Sequence, residues 1–315
     1  MSDQNRGSAR LPEPIADFWR ETLDASRALA TPPSLRAFET PVRTLEHYDA
    51  EFSGFAGNRI AGWLTRPRGV DGPLPLVVEF VGYGGGRGYA HEHLLWASSG
   101  YAHLVMDVRG QGSGWRIGVT SDTGEAGPAN DSFFTRGITS PKTYYYRRLM
   151  TDAVLAVEAF AALDGVDRSR IAVMGISQGG GLALTTAGLS DIPCAVMADV
   201  PGFGDFRAAV ELAEVGPYLA VAEYLAVHRG TEDSVFSTLA HFDTTVLGAA
   251  ATAPALFSLG GRDELVPPST IRTAYAAYGG PKELVEYPFN GHEGGGAVHE
   301  LAKLRWLDRQ WGDAA

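Results

Sequence analysis

Apolar residues recur at helical spacing over 13–30 (Ile15, Phe18, Trp19, Leu23), which predicts an opening amphipathic helix. Over 44–66 apolar and polar positions alternate, broken by Gly54 and Gly57-Asn58, the pattern of an antiparallel hairpin or meander. The pattern then changes. Short continuous apolar runs appear at 75–82, 102–110, 170–177, 194–200, 254–261 and 283–289. Helix-compatible stretches separate most of them, at 93–98, 144–162, 179–189 and 270–278. Strands apolar on both faces, alternating with helices, predict an α/β chain with a mostly parallel sheet of about eight strands, covered by helices on both faces.

Two segments interrupt this alternation. Residues 111–142 are rich in Gly, Ser, Thr and Pro and read as a long surface excursion. Residues 202–242 are helical in pattern and lie between two strands, where a small helical insertion can sit near a site. With 1–11 read as a mobile tail, the whole of 1–315 is expected to form one domain.

Composition narrows the partners. The net charge of −11 opposes phosphate backbones and anionic membranes, so neither nucleic acid nor a membrane is an expected partner. The start of the chain is polar and lacks a secretory apolar core, and no run of about 18 apolar residues occurs, which predicts a cytoplasmic location. A single cysteine, Cys194, excludes an internal disulfide, and its apolar setting predicts a buried, inert thiol.

The sharpest chemical signal is Gly175-Ile176-Ser177-Gln178-Gly179, a G-x-S-x-G sequence between a predicted strand and a predicted small-residue helix. Such a tight turn holds the serine in a strained conformation, and the amide of Gln178 points where an oxyanion would form. A serine hydroxyl needs a base, and behind this kind of elbow the chain order is serine, acid, histidine. His292 follows the last predicted strand on a glycine-rich loop and suits the base, whereas His299 lies inside a helical pattern. Asp263 ends the strand 254–261 and suits the acid; Glu264, Asp199 and Asp205 are the alternatives. A second oxyanion donor is expected from the loop 82–88, where Tyr83 offers a side-chain or a backbone donor. Arg109 reads as a loop anchor, and Tyr144-Tyr145-Tyr146 as packing against the long loops.

Metal and nucleotide readings are weak. His91-Glu92-His93 has no further ligand at zinc spacing, and the run 82–88 lacks the G-K-[ST] ending of a phosphate loop. No cofactor or metal is expected.

Arg109-Gly110-Gln111-Gly112-Ser113-Gly114-Trp115, the stretch 135–148, Gly175–Gly180, Asp263 with 267–270, and His292-Glu293-Gly294-Gly295-Gly296 together resemble the acetyl xylan esterase and cephalosporin-C deacetylase family, the seventh carbohydrate esterase family. The resemblance runs from about Leu11 to Trp306. It implies the α/β-hydrolase fold, with Ser177 as nucleophile, Asp263 as acid, His292 as base, and the backbone amides of Tyr83 and Gln178 as oxyanion hole. It further implies an intracellular homo-oligomer, commonly a hexamer, acting on small acetylated substrates such as xylo-oligosaccharides or cephalosporin C. Three positions depart from the family: Val81 stands for its usual histidine, Arg262 precedes the acid, and Gly202 follows Pro201 where a bulky aromatic is common. Pro201 and Gly202 are therefore expected at the substrate, with Gly202 widening the acyl pocket. The competing readings are a hydrolase of longer acyl esters or thioesters, and a catalytically silent binding protein.

Overall fold

The computed structural model describes residues 11–124, 127 and 129–312; the tail expected over 1–11 lies, apart from Leu11, outside the described residues. Helix α1 (Glu13–Arg27) comes first and buries Ile15, Trp19 and Leu23 on one stripe. Strands β1 (Ser34–Phe38), β2 (Leu45–Ser53) and β3 (Arg59–Pro67) form an antiparallel meander. Then follow β4 (Leu74–Phe80), α2 (Leu95–Ser98), β5 (Ala102–Met106), α3 (Tyr145–Ala161) and β6 (Val166–Ile176). Next come α4 (Gln178–Leu189), β7 (Ala195–Asp199), α5 (Phe206–Leu212), α6 (Gly216–Val227) and α7 (Glu232–Leu239). Finally α8 (Thr244–Leu247), β8 (Ala255–Gly260), α9 (Pro268–Ala277), β9 (Lys282–Tyr287) and α10 (Gly296–Trp311) complete the chain.

Among the described residues the strands form one nine-stranded sheet in the order β1-β2-β3-β5-β4-β6-β7-β8-β9. β3 and β5 are antiparallel, and every pair from β5 to β9 is parallel. The ninth strand beyond the expected eight is β1, whose five residues are all exposed. An edge strand without a buried face leaves no alternation to read; its ladder with β2 alone defines it.

The parallel strands carry apolar residues on both faces because both are covered. Leu76, Val78 and Phe80 of β4 belong to a core shared with α3 and α4, while Val77 packs with Trp96 of α2 and with Trp306 and Leu307 of α10. The two faces thus use alternate residues of one strand, and the sequence shows a continuous run.

The two interrupting segments run over the sheet and are anchored to it at a few buried residues. Between 111 and 142 the described chain has no helix or strand; most of the described residues from 113 to 131 are exposed, as expected of a surface excursion, while Gln111, Thr120, Phe134, Thr135 and Ile138 are buried and anchor it. Asp107 at the end of β5 holds it by accepting bonds from Val119 N (2.7 Å), Thr120 N and Thr120 Oγ1 (2.8 Å each). Phe134 inserts among the rings of Tyr146, Phe203, Phe206 and Tyr218. The segment 202–242 carries α5, α6 and α7. Arg109 is fully buried and grips Asp152 through two bonds of 2.5 and 2.7 Å, the anchoring role read from the sequence. Tyr144, Tyr145 and Tyr146 are likewise fully buried. Cys194 is half-buried rather than buried, and it directly precedes β7.

Candidate active site

Ser177 stands between β6 and α4 with φ 58° and ψ −119°, a backbone region that costs a non-glycine residue of order 1–3 kcal/mol. Its surroundings hold it there: Ser177 N donates to Asp199 O (2.8 Å), and Ser177 O accepts from Gly202 N (2.9 Å) and Gly181 N (3.0 Å). Close approach is possible because the neighbours are glycine. A Cβ on Gly179 would lie 2.0 Å from Phe80 O, and one on Gly175 would lie 2.4 Å from the Gly179 carbonyl carbon.

Asp263 lies three residues beyond β8 and is buried. Its Oδ1 accepts from Leu265 N and Val266 N (2.9 Å each), and its Oδ2 meets His292 Nδ1 at 2.8 Å. With that nitrogen facing a carboxylate, Nδ1 carries the proton and Nε2 is left as the basic atom. The loop bearing His292 is shaped locally by Glu293, which accepts from Asn290 Nδ2 (2.6 Å) and Gly291 N (3.0 Å). His292 and Ser177 line the same cavity, of about 850 Å³.

The alternatives separate by their partners. Asp199, at the end of β7, accepts from Lys303 Nζ (2.6 Å) and His299 Nε2 (3.0 Å), so both Asp199 and His299 belong to a buried ionic cluster behind the sheet. Burial pushes the Asp199 carboxyl up, but Lys303 and His299 outweigh it and hold it below the usual carboxylate value. Asp205 caps α5 by accepting from Ala208 N, and Glu264 is exposed.

Tyr83 and Gln178, from separate elements, line the cavity beside Ser177. Gln178 opens α4, where an amide has no acceptor one turn earlier. Its side chain is engaged elsewhere: Nε2 donates to Val81 O (3.2 Å), and Oε1 accepts from Tyr146 OH (2.9 Å) and Gln111 Nε2 (3.0 Å). The Tyr83 hydroxyl is also occupied, bonded to Ser132 Oγ and accepting from Phe133 N (3.1 Å each). Of the two donors open at Tyr83, the backbone amide is thus the one left for a ligand. The loop is tethered by Trp115 Nε1 donating to Tyr83 O (2.8 Å) and Gly84 N donating to Gln111 Oε1 (2.7 Å). Gln111 therefore joins the Tyr83 loop to Gln178, a role its motif did not disclose.

The cavity wall combines Gly82, Tyr83 and Trp115 with Phe134, Ile176, Gly202, Phe203, Pro217, Tyr218 and Leu265. Gly202 lines it, whereas Pro201 is outside the lining, its Cα 3.1 Å from where a Cβ on Gly180 of α4 would lie; Val200 just before it has φ 38°. Arg262 is exposed and outside the cavity lining. Phe134 and Tyr218 were not foreseen, since each comes from a segment without a strand-end signal. Among the described residues no group of three or more His, Cys, Asp or Glu side chains is placed to hold a metal ion. Nor is any helix among them long and apolar enough to cross a membrane.

A family model described as acetyl xylan esterase (AXE1) matches residues 3–310. The chain belongs to the acetyl xylan esterase family. It is a carboxylic ester hydrolase of the α/β-hydrolase fold. The solved acetyl xylan esterase from Paenibacillus sp. R4 is 35% identical, with a TM-score of 0.89 over 98% of this chain and 99% of that one. Acetyl xylan esterase 1 from Thermoanaerobacterium sp. is 27% identical, with a TM-score of 0.87 over 99% of each chain. The acetyl esterase Axe7A of Xylanibacter ruminicola is 25% identical over 305 residues, which is 95% of this chain and 67% of that protein. In this member of the acetyl xylan esterase family Tyr83, Ser177, Gln178 and His292 line one cavity, with Asp263 bonded to His292 Nδ1.

Proposed function

We propose that the protein is a serine esterase that removes acetyl groups from small acetylated substrates through an acyl-enzyme. The observation that carries this reading is the 2.8 Å Asp263–His292 pair on the same cavity as a strained serine at a helix N-terminus. His292 Nε2 takes the Ser177 hydroxyl proton as Oγ bonds to the acetyl carbon. The carbonyl oxygen becomes an oxyanion held by the Tyr83 and Gln178 amides, one such donor being worth roughly 2.7–4 kcal/mol. The bond from carbon to the alcohol oxygen then breaks, and His292 returns the proton to that oxygen. Water, deprotonated by His292, attacks the acetyl-serine; the bond from carbon to Ser177 Oγ then breaks, His292 returns the proton to Oγ, and acetate leaves. Asp263 orients the imidazole and stabilises its charged form without taking the proton.

The substrate class, acetylated xylo-oligosaccharides or cephalosporin C, rests on the family resemblance, as do a cytoplasmic location and a homo-oligomeric state. The reading takes 1–315 as one α/β-hydrolase domain in which 202–242 supplies one wall of the site. Hydrolysis of p-nitrophenyl acetate, butyrate and octanoate by wild type and Ser177→Ala tests it. Expected are a preference for acetate and a loss of at least about a thousandfold in Ser177→Ala. Preference for butyrate or longer chains would overturn acetyl specificity, and an inert wild type would favour a binding protein.

A further inference from the structure

The cavity has two chemically different ends. Its buried end is apolar and aromatic, built by Phe134, Phe203 and Tyr218 around the floor that holds Ser177. Its open end carries two exposed carboxylates, Asp131 and Glu223, from segments far apart in sequence. One hydrogen bond sets them on a common rim: Asn130 Nδ2 donates to Ala220 O at 2.8 Å, tying the loop that bears Asp131 to the helix α6 that bears Glu223. Among the described lining residues there is no lysine or arginine. Two guanidinium groups near this wall are engaged elsewhere: Arg116 stacks on the Trp115 ring (5.0 Å to its centroid) and faces Glu92 at 3.8 Å, and Arg136 stacks on the Phe133 ring (3.8 Å).

An ester bound for attack places its carbonyl at Ser177, and its alcohol part extends toward the opening. We infer that the Asp131–Glu223 rim makes this enzyme select by charge, taking acetyl esters of neutral alcohols such as sugars and turning away those whose alcohol carries a carboxylate. The inference rests on the serine-esterase reading above and divides its two substrate candidates. An acetylated xylo-oligosaccharide is neutral, whereas cephalosporin C carries a net negative charge. The physical cause is the potential at the mouth: each rim carboxylate repels an incoming anion, and the net charge of −11 leaves no compensating field. Exposed charges at roughly 4–8 Å in a water-like dielectric amount to about fivefold in kcat/KM for the pair, fading with salt beyond the Debye length of about 8 Å at physiological ionic strength.

The test uses a matched pair, 4-acetoxybenzoate and its methyl ester, with acetate release measured at low and high salt. The readout is the ratio of kcat/KM, neutral over anionic, which within one enzyme carries the same intrinsic leaving-group difference. Asp131→Asn combined with Glu223→Gln is expected to lower that ratio about fivefold and to flatten its salt dependence. Asp71→Asn combined with Asp164→Asn removes the same charge at the opposite ends of the strands and is expected to leave the ratio unchanged. A ratio equal in wild type and the rim variant, or lowered as much by the distant variant, would overturn the inference. Failure of wild type to hydrolyse either ester would instead bring down the esterase reading. Coincident thermal unfolding of the three proteins excludes a folding artefact, and each single rim substitution is expected to give about half the logarithmic effect.

Discussion

Gln111→Leu isolates the coupling between the two oxyanion elements. The carboxamide is replaced by an apolar group of similar size, and the losses can be counted. Gly84 N loses its acceptor at 2.7 Å, and Gln178 Oε1 loses one donor but keeps Tyr146 OH at 2.9 Å. Gln178 Nε2 keeps Val81 O at 3.2 Å, and Tyr145 OH still donates to Arg109 O at 2.6 Å. One backbone N–H is therefore orphaned, which costs about 1–3 kcal/mol of stability. The Tyr83–Gly84 peptide also loses one of its two tethers, leaving the bond from Trp115 to Tyr83 O. Complete loss of an oxyanion donor is worth about a hundredfold to a thousandfold in kcat. A donor that is loosened but still tethered should cost less, about tenfold to a hundredfold, with KM changed less than about threefold because the effect falls on the transition state. Steady-state kinetics on p-nitrophenyl acetate give both constants, and thermal unfolding gives the stability change. Gln111→Glu is expected to lower kcat further, since it keeps an acceptor for Gly84 but sets a negative charge beside the developing oxyanion. A kcat within twofold of wild type in a Gln111→Leu enzyme that is measurably destabilised would refute the reasoning: Gln111 would then serve the fold alone.

Two other predictions follow from buried and cavity-facing positions. Asp199→Asn leaves the Lys303 ammonium, 1% exposed, with Glu300 alone, and is expected to cost about 3 kcal/mol at pH 7 in urea unfolding. Because Asp199 is held below its ordinary value in the folded state, its contribution is complete above the unfolded carboxylate value and disappears as pH falls through the folded one. Wild type should therefore lose stability more steeply than Asp199→Asn below about pH 4, the unfolded carboxylate value, and parallel acid-unfolding curves would count against the ionic cluster. At Gly202 a Cβ would find its nearest neighbours at van der Waals distance, Tyr218 OH (3.4 Å) and the Ser177 carbonyl (3.5 Å), in a backbone that does not require glycine. Gly202→Val should fill cavity space and lower kcat/KM for p-nitrophenyl butyrate at least about tenfold more than for acetate, the scale of one or two methylenes in an apolar pocket. An unchanged ratio would place the acyl chain elsewhere.

Much of the architecture is local and so was legible in the sequence. Runs apolar on both faces marked the parallel strands, and the helical period marked α1, α3 and α4 to within a residue or a few. Ser177 could be named because a strand-to-helix elbow with glycines at 175 and 179 is a local steric requirement, visible as 2.0–2.4 Å clashes for any added Cβ. Asp263 and His292 could be named because they follow strands on one end of a parallel sheet, and the fold's chain order limits the choices. Other features depend on contacts between residues distant in sequence, and no pattern reports those. Asp263 and Glu264 are neighbours with the same chemistry, yet only Asp263 faces His292, 29 positions away, while Glu264 is exposed. The Tyr83 hydroxyl is occupied by Ser132 and Phe133, about 50 residues on, which leaves the amide free. Pro201 and Gly202 are adjacent, yet Pro201 packs against Gly180 of α4 while Gly202 lines the cavity. The segments bearing the rim carboxylates Asp131 and Glu223 are tied by a bond between Asn130 and Ala220, 90 residues apart. Periodicity and turn chemistry act over a few residues, so the sequence alone determined most of the elements and singled out Ser177, Asp263 and His292 as the candidate reacting side chains. Which way each side chain faces is settled by packing between elements, and that was decided only in the tertiary structure.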